Sequence, residues 1–471
     1  MNERDSAVGA MVADLVKRAR AAQAVAEGYD QARTDELVAA AGWAIVEPGR
    51  NRALAELAVA DSGIGKVDDK IRKNHRKTLG LLRDLQGMRT VGVIAELPER
   101  GLVEIARPVG VVCAITPSTN PAATPANKII NALKARNAVI VAPSPKGWRT
   151  AEVLIGHIHE QFDRIGAPRD LVQLLPAPVS KASTHELMRQ CDLVVATGSQ
   201  ANVRAAYTCG TPAFGVGAGN VASIIDETAD VERAVDLMLQ SKTFDNATSC
   251  SSENSLVVVA AVRDAVLAAL QRSGVACLDA TRKAQLQQLM WPDGHLSPAV
   301  IGQSAPVIAE RAGWPDVAAQ DPSALLVEED GFGPDHPFSG EKLSPVLAFY
   351  TVPDFGAASQ TVRRIYAHQG AGHSVSLHTR RDERALQLGL TLPVSRVIVN
   401  QAHAIATGGS FDNGLPFSLS MGCGTWGGNN FSDNMTVRQY MNITRISRTI
   451  PERVPTEQEI FGTFFDKYGR A

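Results

Sequence analysis

The first ninety residues carry apolar side chains at helical spacing. In alanine-rich segments such as the one containing Val12, Leu15 and Val16, apolar positions recur every three or four residues, which predicts amphipathic helices. The same region holds a strongly basic stretch, Lys70 to Lys77. A run of charges on a predicted helix is usually a solvated face, so we expect this stretch to lie at the surface and assign it no function.

After residue 90 the spacing becomes that of short strands. Residues 91–95 and 102–106 flank a turn at residues 98–101, and together they predict a β-hairpin. Towards the other end of the chain, residues 437–446 predict a further strand. Strand edges of this kind are suited to pairing with another polypeptide, so we expect these elements to serve assembly.

Strands and helices then alternate along most of the chain. The predicted strands are 109–116, 138–142, 171–175, 193–197, 347–352, 374–379 and 397–400, and the predicted helices are 126–135, 148–162, 181–189 and 200–207. Such alternation predicts parallel sheets with helices on both faces. We therefore predict an α/β fold with two parallel-sheet domains, and we expect ligands at the carboxyl ends of the strands.

The composition of the chain limits the classes of binding partner that we expect for the protein. A chain of 471 residues is too long for one compact core. Its net charge of −2 gives no electrostatic reason to bind nucleic acid or an anionic membrane. We find no secretory signal and no apolar run as long as a membrane span. Six cysteines without paired spacing predict neither disulfides nor a metal site and fit a reducing cytoplasm, so we expect a cytoplasmic protein with no nucleic-acid or membrane partner.

One cysteine, Cys250, lies in a polar loop of small residues between a predicted helix at 230–242 and a predicted strand at 256–260. A thiolate is the best side-chain nucleophile near neutral pH, and it requires partial exposure and nearby donors. A lone cysteine more often packs as a small apolar residue, but the Ser-Cys-Ser-Ser sequence weakens that interpretation. Cys250 is therefore our candidate nucleophile.

The sequence Thr-Phe-Asp-Asn at residues 243–246, just before Cys250, resembles the nucleophile loop of the aldehyde dehydrogenase superfamily in its CoA-acylating branch. The resemblance extends over about residues 105–447. Further similar segments, in the right order, are Ile-Thr-Pro-Ser-Thr-Asn-Pro at 115–121, Ala-Thr-Gly-Ser at 196–199, Glu-Lys-Leu-Ser-Pro at 341–345, Gly-Ala-Gly-His-Ser at 370–374 and the glycine-rich run at 421–429.

The resemblance implies catalytic roles for three residues. Asn120 would hold the substrate oxyanion together with the Cys250 N–H, although an asparagine before Pro121 is also a common turn former. His373 would help to deprotonate the CoA thiol, since its ordinary pKa is ~6.5; most histidines, however, are not catalytic. No metal is implied.

The resemblance also implies a cofactor site. Gly215–Gly219 looks like a phosphate loop, but a strand-like run follows it where a dinucleotide-binding turn requires a helix. In the family, Glu341 binds the nicotinamide ribose; a lone Glu-Lys pair would otherwise be solvated surface. The residues implied in binding NADP or NAD are Thr116, Pro117, Ser118, Pro143, Ser144, Lys146, Thr197, Gly198, Ser199, Gly217, Glu341 and Leu343.

Two departures from the hydrolytic aldehyde dehydrogenases stand out. Those enzymes place a glutamate, which activates water, where this chain has Val216. Without that base a thioester persists until a better nucleophile, such as the thiol of coenzyme A, removes the acyl group. They also carry an acid after the strand matching 138–142, where this chain has Ser144 and Lys146. These two could accept a 2′-phosphate, which favours NADP, or Lys146 is an ordinary turn lysine.

The resemblance therefore implies an NAD(P)-dependent, CoA-acylating aldehyde dehydrogenase for short aldehydes. Within the branch the tail and the loop at 409–414 are most similar to the acylating sulfoacetaldehyde dehydrogenases; acetaldehyde and succinate semialdehyde are the alternative substrates. A hydrolytic enzyme and a non-catalytic scaffold remain as rivals. We expect a homodimer or homotetramer. The implied division is an NAD(P)-binding domain at 1–90 and 107–236, a catalytic domain at 237–431, oligomerisation elements at 91–106 and 432–447, and a C-terminal tail at 448–471.

Overall fold

The computed structural model describes residues 3–470 and begins with four helices. They are α1 (Glu3–Glu27), α2 (Gln31–Val46), α3 (Pro48–Ser62) and α4 (Val67–Leu85). The predicted solvated face on α4 is wrong, because Lys70, Lys73 and Lys77 are all buried. Their ammonium groups meet a carboxylate and backbone carbonyl oxygens in the interior instead of water.

The predicted hairpin is present. It consists of β1 (Gly92–Leu97) and β2 (Leu102–Pro108), which pair antiparallel across a single 3-10 turn at Pro98–Arg100. Gly101 follows this turn with φ of +61°, a left-handed conformation that favours glycine.

A five-stranded parallel sheet follows the hairpin. Its strands are β3 (Val111–Thr116), β4 (Ala138–Pro143), β5 (Val172–Leu174), β6 (Leu193–Thr197) and β7 (Ala213–Val216), in the spatial order β5-β4-β3-β6-β7. The helices between them are α5 (Ala123–Lys134), α6 (Trp148–Ile165), α7 (Lys181–Gln190) and α8 (Gln200–Thr208). Every residue of β3 and β4 is buried, as expected for strands covered on both faces.

A seven-stranded parallel sheet makes up the next part. Its strands are β8 (Val221–Ile225), β9 (Glu253–Val259), β10 (Val275–Leu278), β11 (Ala324–Glu328), β12 (Val346–Val352), β13 (Val375–His378) and β14 (Val397–Val399), in the order β10-β11-β12-β9-β8-β13-β14. Its helices are α9 (Val231–Thr243), α10 (Arg263–Arg272), α11 (Ala280–Met290), α12 (Ala305–Arg311), α13 (Pro315–Ala318), α14 (Phe355–His368), α15 (Asp382–Thr391) and α16 (His403–Ala406). Because β8 pairs here, the chain enters this sheet at residue 221 rather than at residue 237.

The C-terminal part returns to the hairpin. Residues 437–440 form a 3-10 turn, and β15 (Met441–Ser447) then pairs antiparallel with β2, with Ile443 opposite Ala106. The two elements assigned to assembly thus form one three-stranded sheet within the chain. The last helix, α17 (Glu457–Tyr468), has no buried residue. Within residues 3–470 no helix has both the length and the apolar composition to cross a bilayer.

The two parallel sheets contribute opposite ends to the same region. The first contributes segments that follow its strands, as predicted: Thr116 ends β3 and Thr197 ends β6. The second contributes segments that precede its strands, since Cys250 comes before β9 and His373 before β13. The expectation of ligands at carboxyl ends therefore holds for one sheet only. The α/β fold class is confirmed.

Candidate active site

Cys250 follows a loop in a strained backbone conformation. Asp245, Asn246 and Ala247 have φ angles of 52°, 52° and 58°. This left-handed region costs a non-glycine residue ~1–2 kcal/mol, and three successive residues adopt it only when their surroundings stabilise it. The Asn246 side chain donates to the Gly302 carbonyl at 3.0 Å and supplies part of that support.

The Asp245 carboxylate supplies the remaining support for this strained loop. It accepts hydrogen bonds from the Lys66 N–H at 2.9 Å, the Lys70 ammonium at 3.1 Å and the Lys73 ammonium at 2.5 Å. Burial by itself would raise the pKa of Asp245, but the charges of Lys73 and Lys70 outweigh it and hold that pKa below its usual value. The nucleophile loop is therefore anchored to the first turns of α4 by a buried ionic cluster.

The Cys250 thiol faces a histidine. Its sulfur lies 3.4 Å from His373 Nε2, and His373 Nδ1 lies 2.7 Å from Ser374 Oγ. When Nδ1 carries the proton and donates it to the serine oxygen, Nε2 presents its lone pair to the sulfur. Gly219 lets this pair form, because a Cβ there would lie 2.2 Å from the Cys250 carbonyl oxygen and 3.1 Å from His373 Cδ2.

Both members of the pair are uncharged near neutral pH. Burial, followed by the charge of Glu341, raises the pKa of the Cys250 thiol well above its usual value. Burial, with Arg396 nearby, lowers the pKa of His373 to about 3. The resting site therefore holds a thiol and a neutral imidazole, so the sulfur needs a base when it attacks. His373 Nε2 is in the right place to take that proton.

Asn120 is oriented by α4. Lys73 Nζ donates to its side-chain oxygen at 2.7 Å. An ammonium group is a donor only, so the oxygen of Asn120 must face Lys73 and its NH₂ group must face away. The sequence indicated Asn120 as an oxyanion donor but gave no sign of the lysine that sets its orientation.

Asn120 and Cys250 line one cleft of about 540 Å³. Eleven of the twelve residues predicted for the cofactor also line it: Thr116, Pro117, Ser118, Ser144, Lys146, Thr197, Gly198, Ser199, Gly217, Glu341 and Leu343. The twelfth, Pro143, ends β4 and does not line the cleft. Residues that sequence reasoning missed here include Ser62, Gly63 and Ile64 at the end of α3, and Pro298, Ile301 and Gln303.

Comparison with known proteins identifies the family. The sequence matches the aldehyde dehydrogenase family over residues 4–277. It is 66% identical over 459 residues to the sulfoacetaldehyde dehydrogenase (acylating) of Cupriavidus necator, covering 98% of this chain and 93% of that protein. The chain belongs to the aldehyde dehydrogenase family. The α/β architecture, the single cysteine at the cleft and the flanking asparagine agree with this membership.

Two further relatives are similar over nearly their whole lengths. The sulfoacetaldehyde dehydrogenase (acylating) of Bilophila wadsworthia is 40% identical, covering 98% of this chain and 99% of that protein. The crystal structure of an acetylating aldehyde dehydrogenase from Geobacillus thermoglucosidasius superposes with a TM-score of 0.91 at 35% identity, covering 97% of this chain and 100% of the other. The predicted place of the chain in the CoA-acylating branch of the aldehyde dehydrogenase family is confirmed.

In this aldehyde dehydrogenase the cleft has few carboxylates. Among its lining residues in the described part of the chain, Glu341 is the only acid. Its carboxylate accepts from the Gly219 N–H at 3.2 Å, and burial raises its pKa to about 8 although that bond and Lys242 oppose the shift. Val216 is buried at the end of β7, and its neighbours Gly217 and Ala218 reach the cleft. Val216 itself does not line the cleft, so the role of this position in hydrolysis stays a prediction.

The cleft fits a dinucleotide or coenzyme A. It runs past the N-terminus of α8, where Thr197, Gly198 and Ser199 line it and where helix N–H groups favour phosphate. Beyond this point Lys146 and Arg149 line an adjoining recess together with Asp61 from α3, whose carboxylate lies 3.4 Å from the Arg149 guanidinium. Asp61 is an acid that local sequence reasoning missed, so the preference for a 2′-phosphate stays a prediction.

Arg396, just before β14, was also missed. Its guanidinium is buried and donates to the His373 carbonyl (3.3 Å), the Gly422 carbonyl (3.0 Å), the Ser432 carbonyl (2.9 Å) and the Asn434 side chain (2.8 Å). It thereby joins the His373 loop to the glycine-rich segment, and its charge lowers the pKa of Cys250 against the larger effect of burial. An isolated arginine in an apolar stretch carries no sequence signal of this role.

Proposed function

We propose that the protein oxidises sulfoacetaldehyde to sulfoacetyl-CoA, with NAD(P)⁺ and coenzyme A as co-substrates and Cys250 as the nucleophile. One observation carries the proposal: His373 lies 3.4 Å from the Cys250 sulfur and Asn120 lines the same cleft as Cys250, while residue 216 is a valine and not a glutamate. The 66% identity to a relative named sulfoacetaldehyde dehydrogenase (acylating) supports this aldehyde over other short ones.

The first half of the reaction forms an acyl-enzyme. Cys250 Sγ adds to the aldehyde carbon while its proton passes to His373 Nε2. The NH₂ group of Asn120 and the Cys250 N–H stabilise the oxygen that becomes negative; one such donor is typically worth ~3 kcal/mol. When bound, NAD(P)⁺ accepts the hydride that leaves the same carbon, and a thioester remains on Cys250.

The second half transfers the acyl group to coenzyme A. The proton that His373 took in the first half goes to solvent before the second half begins. The CoA thiol then attacks the thioester carbon and gives its proton to a base, and the Cys250 sulfur leaves and takes up a proton, which restores the resting thiol. His373 is the candidate base because it is already in contact with that sulfur. Water would need comparable help, and general-base assistance is worth about 10² to 10⁴ in rate. With Val216 in place of a carboxylate, hydrolysis lacks that help.

The proposed assignment of the cleft follows from its lining. Glu341 and Leu343 would hold the nicotinamide ribose, the start of α8 would hold the phosphates, and Ser144 with Lys146 would face the adenosine ribose. NADP is proposed ahead of NAD because Lys146 and Arg149 outnumber Asp61 in the adjoining recess. We also propose a homodimer or homotetramer.

A single-turnover experiment tests the acylating step. Mixing enzyme, sulfoacetaldehyde and NADP⁺ or NAD⁺ without CoA should give a burst of reduced cofactor near one equivalent per active site, followed by a slow phase. Adding CoA should restore steady turnover and release a new thioester, and intact mass after the burst should show the acyl adduct on the Cys250 peptide.

Val216→Glu is the converse test. A carboxylate there should raise hydrolysis of the acyl-enzyme at the expense of transfer to CoA, with Val216→Gln as the uncharged control. Linear turnover of the wild-type enzyme to free acid without CoA would overturn the acylating proposal. Failure of the wild-type enzyme to oxidise sulfoacetaldehyde while it oxidises acetaldehyde would overturn the proposed substrate.

A further inference from the structure

The basic face of α4 lines a small space beside the nucleophile. This space, here called the basic compartment, has Arg72, Lys73, Arg76 and Lys77 on one wall. It shares Asn120, Ser249, Leu419 and Met421 with the cofactor cleft. The two residues next to Cys250 in sequence, Ser249 and Ser251, both line it.

The charge in the basic compartment is unbalanced. Its lining residues include four cations and no aspartate or glutamate. Two of these cations have acids elsewhere: Lys73 pairs with Asp245, and Arg72 lies 3.8 Å from Asp69. Such pairing accounts for only half of the positive charge on this wall.

Lys77 and Arg76 form no such ion pair among residues 3–470, although the Asp412 carboxylate, which accepts from Ser410, is near enough to Arg76 to favour its charged form. Within the part of the chain that the structure describes, the buried Lys77 ammonium donates hydrogen bonds only to carbonyl oxygens, those of Gly408 at 2.8 Å and Gly409 at 3.2 Å. Burial, with Arg76 and Lys73 nearby, lowers the pKa of Lys77 to about 7. Arg76 donates to Ser410 Oγ at 2.5 Å, while its buried Nε has no acceptor within the described residues. A buried cation without a counter-charge is costly, so the surroundings of Lys77 favour an anion.

The position of the compartment fits one end of a short substrate. An aldehyde carbon bonded to Cys250 Sγ with its oxygen at Asn120 would place the rest of a short substrate beside Ser249 and Ser251, which line the basic compartment. The side of α4 offers positive charge from Lys73, Arg76 and Lys77 together with the hydroxyl groups of Ser249 and Ser251. A two-carbon aldehyde places its anionic group one methylene away from the reacting carbon.

We propose that Arg76 and Lys77 of α4 bind the sulfonate group of the substrate in the basic compartment and so determine the preference for an anionic aldehyde. This inference rests on the proposed function, because it assigns the residues that recognise the substrate. Lys73 lies on the same wall, but its ammonium group already donates hydrogen bonds to Asp245 and Asn120.

Substrate competition tests the assignment. Arg76→Met and Lys77→Met should each lower kcat/KM for sulfoacetaldehyde about 30-fold or more relative to kcat/KM for propionaldehyde, since the sulfonate would lose one partner of a buried charge pair. Ethanesulfonate should inhibit propionaldehyde oxidation by the wild-type enzyme competitively, and the same variants should weaken that inhibition. Neutral 1-propanol serves as the control ligand.

Arg83→Met is the matched control protein. Arg83 is on the same helix, two turns further on, and bonds to Asp84 outside the compartment. If the Arg76 and Lys77 variants fold, as judged by circular dichroism, but keep the wild-type ratio of the two substrates, the inference is wrong and the proposed function stands. If the wild-type enzyme itself does not oxidise sulfoacetaldehyde, the proposed function is wrong, and the inference that rests on it is wrong as well. Should Lys77→Met not fold, Arg76→Met decides alone, because that residue is partly exposed.

Discussion

At the scale of single residues, the chemistry depends on a thiol and an imidazole that are both neutral. The protein around Cys250 and His373 suppresses the charge of each, so a thiolate–imidazolium pair is not the resting state. Proton transfer must then accompany attack on the aldehyde. This limits reaction of the sulfur with other electrophiles until a substrate is in place.

Cys250→Ala should abolish both aldehyde oxidation and acyl-CoA reduction, because no thioester can form. Reduced cofactor followed at 340 nm, with and without CoA, measures the effect. Cys277→Ala is the control, since Cys277 is exposed on β10 and should retain near wild-type rates. Steady turnover by Cys250→Ala at more than a few per cent of the wild-type rate would contradict the assignment.

Lys77 gives a prediction about pH. Its pKa is about 7 in the folded protein and 10.5 in a free side chain, so the unfolded state binds its proton more tightly. The resulting destabilisation is complete below pH 7 and disappears as the pH rises towards 10.5. The groups that face this ammonium are Arg76, Lys73 and the carbonyls of Gly408 and Gly409.

Lys77→Met removes this titration. The melting temperature of the variant minus that of the wild type should therefore be most positive near pH 6.5 and should decrease steadily up to pH 9.5. Melting curves of both proteins across that range measure the difference. A difference that does not change with pH would show that Lys77 is not responsible.

At the scale of elements, the connection between α4 and the nucleophile loop has the largest consequences. Asp245 lies in the loop and Lys73 in the helix, 172 residues apart along the chain. Their contact stabilises the left-handed residues before Cys250, and Lys73 also orients Asn120. One helix thus positions both the nucleophile loop and an oxyanion donor.

Asp245→Asn should lower the free energy of unfolding by about 3–5 kcal/mol, because it leaves Lys70 and Lys73 buried without a counter-charge. Activity should fall as well, since the strained loop can relax and Asn120 is less firmly held. Urea denaturation gives the stability, and the steady-state rate gives the activity. Asp68→Asn, an exposed acid in the first turn of α4, should change stability by less than about 1 kcal/mol; an equal loss in both variants would argue against the anchor.

At the scale of the whole molecule, the C-terminal sheet and helix present apolar surface to solvent. Phe464 is 57% and Tyr468 62% exposed on α17, and Ile446 is 41% exposed on β15. An exposed apolar face of this kind usually marks a contact between chains. The three-stranded sheet already forms within one chain, so a second copy would cover its remaining face rather than complete it.

The protein should therefore measure as a dimer or tetramer by light scattering at micromolar concentration. Replacing Phe461 and Phe464 with serine should weaken the assembly, because both exposed rings of this face are then removed. A monomeric wild-type chain under these conditions would rule out the proposed assembly.

Several features of this enzyme were readable from short stretches of sequence. The alternation of apolar strands and amphipathic helices determined the α/β class, and the strand after Gly219 excluded a dinucleotide-binding turn there. Cys250, Asn120 and His373 each lie in a local motif, and eleven of twelve predicted cofactor residues reach one cleft. Asn120, His373 and the cofactor residues were indicated by the resemblance of these short segments to the aldehyde dehydrogenase family, and the strand ends and turns that position them are encoded by neighbouring residues.

Tertiary structure alone decided the environment of those residues. The basic run on α4 was predicted to be solvated, because nothing within 70–77 shows that Asp245, far along the chain, and the carbonyls of Gly408 and Gly409 surround it. Arg396 and Asp61 acquire their neighbours in the same way. A charged side chain has the same letter whether it is solvated or buried, and only the packing of distant segments determines its partners, its pKa and hence its role.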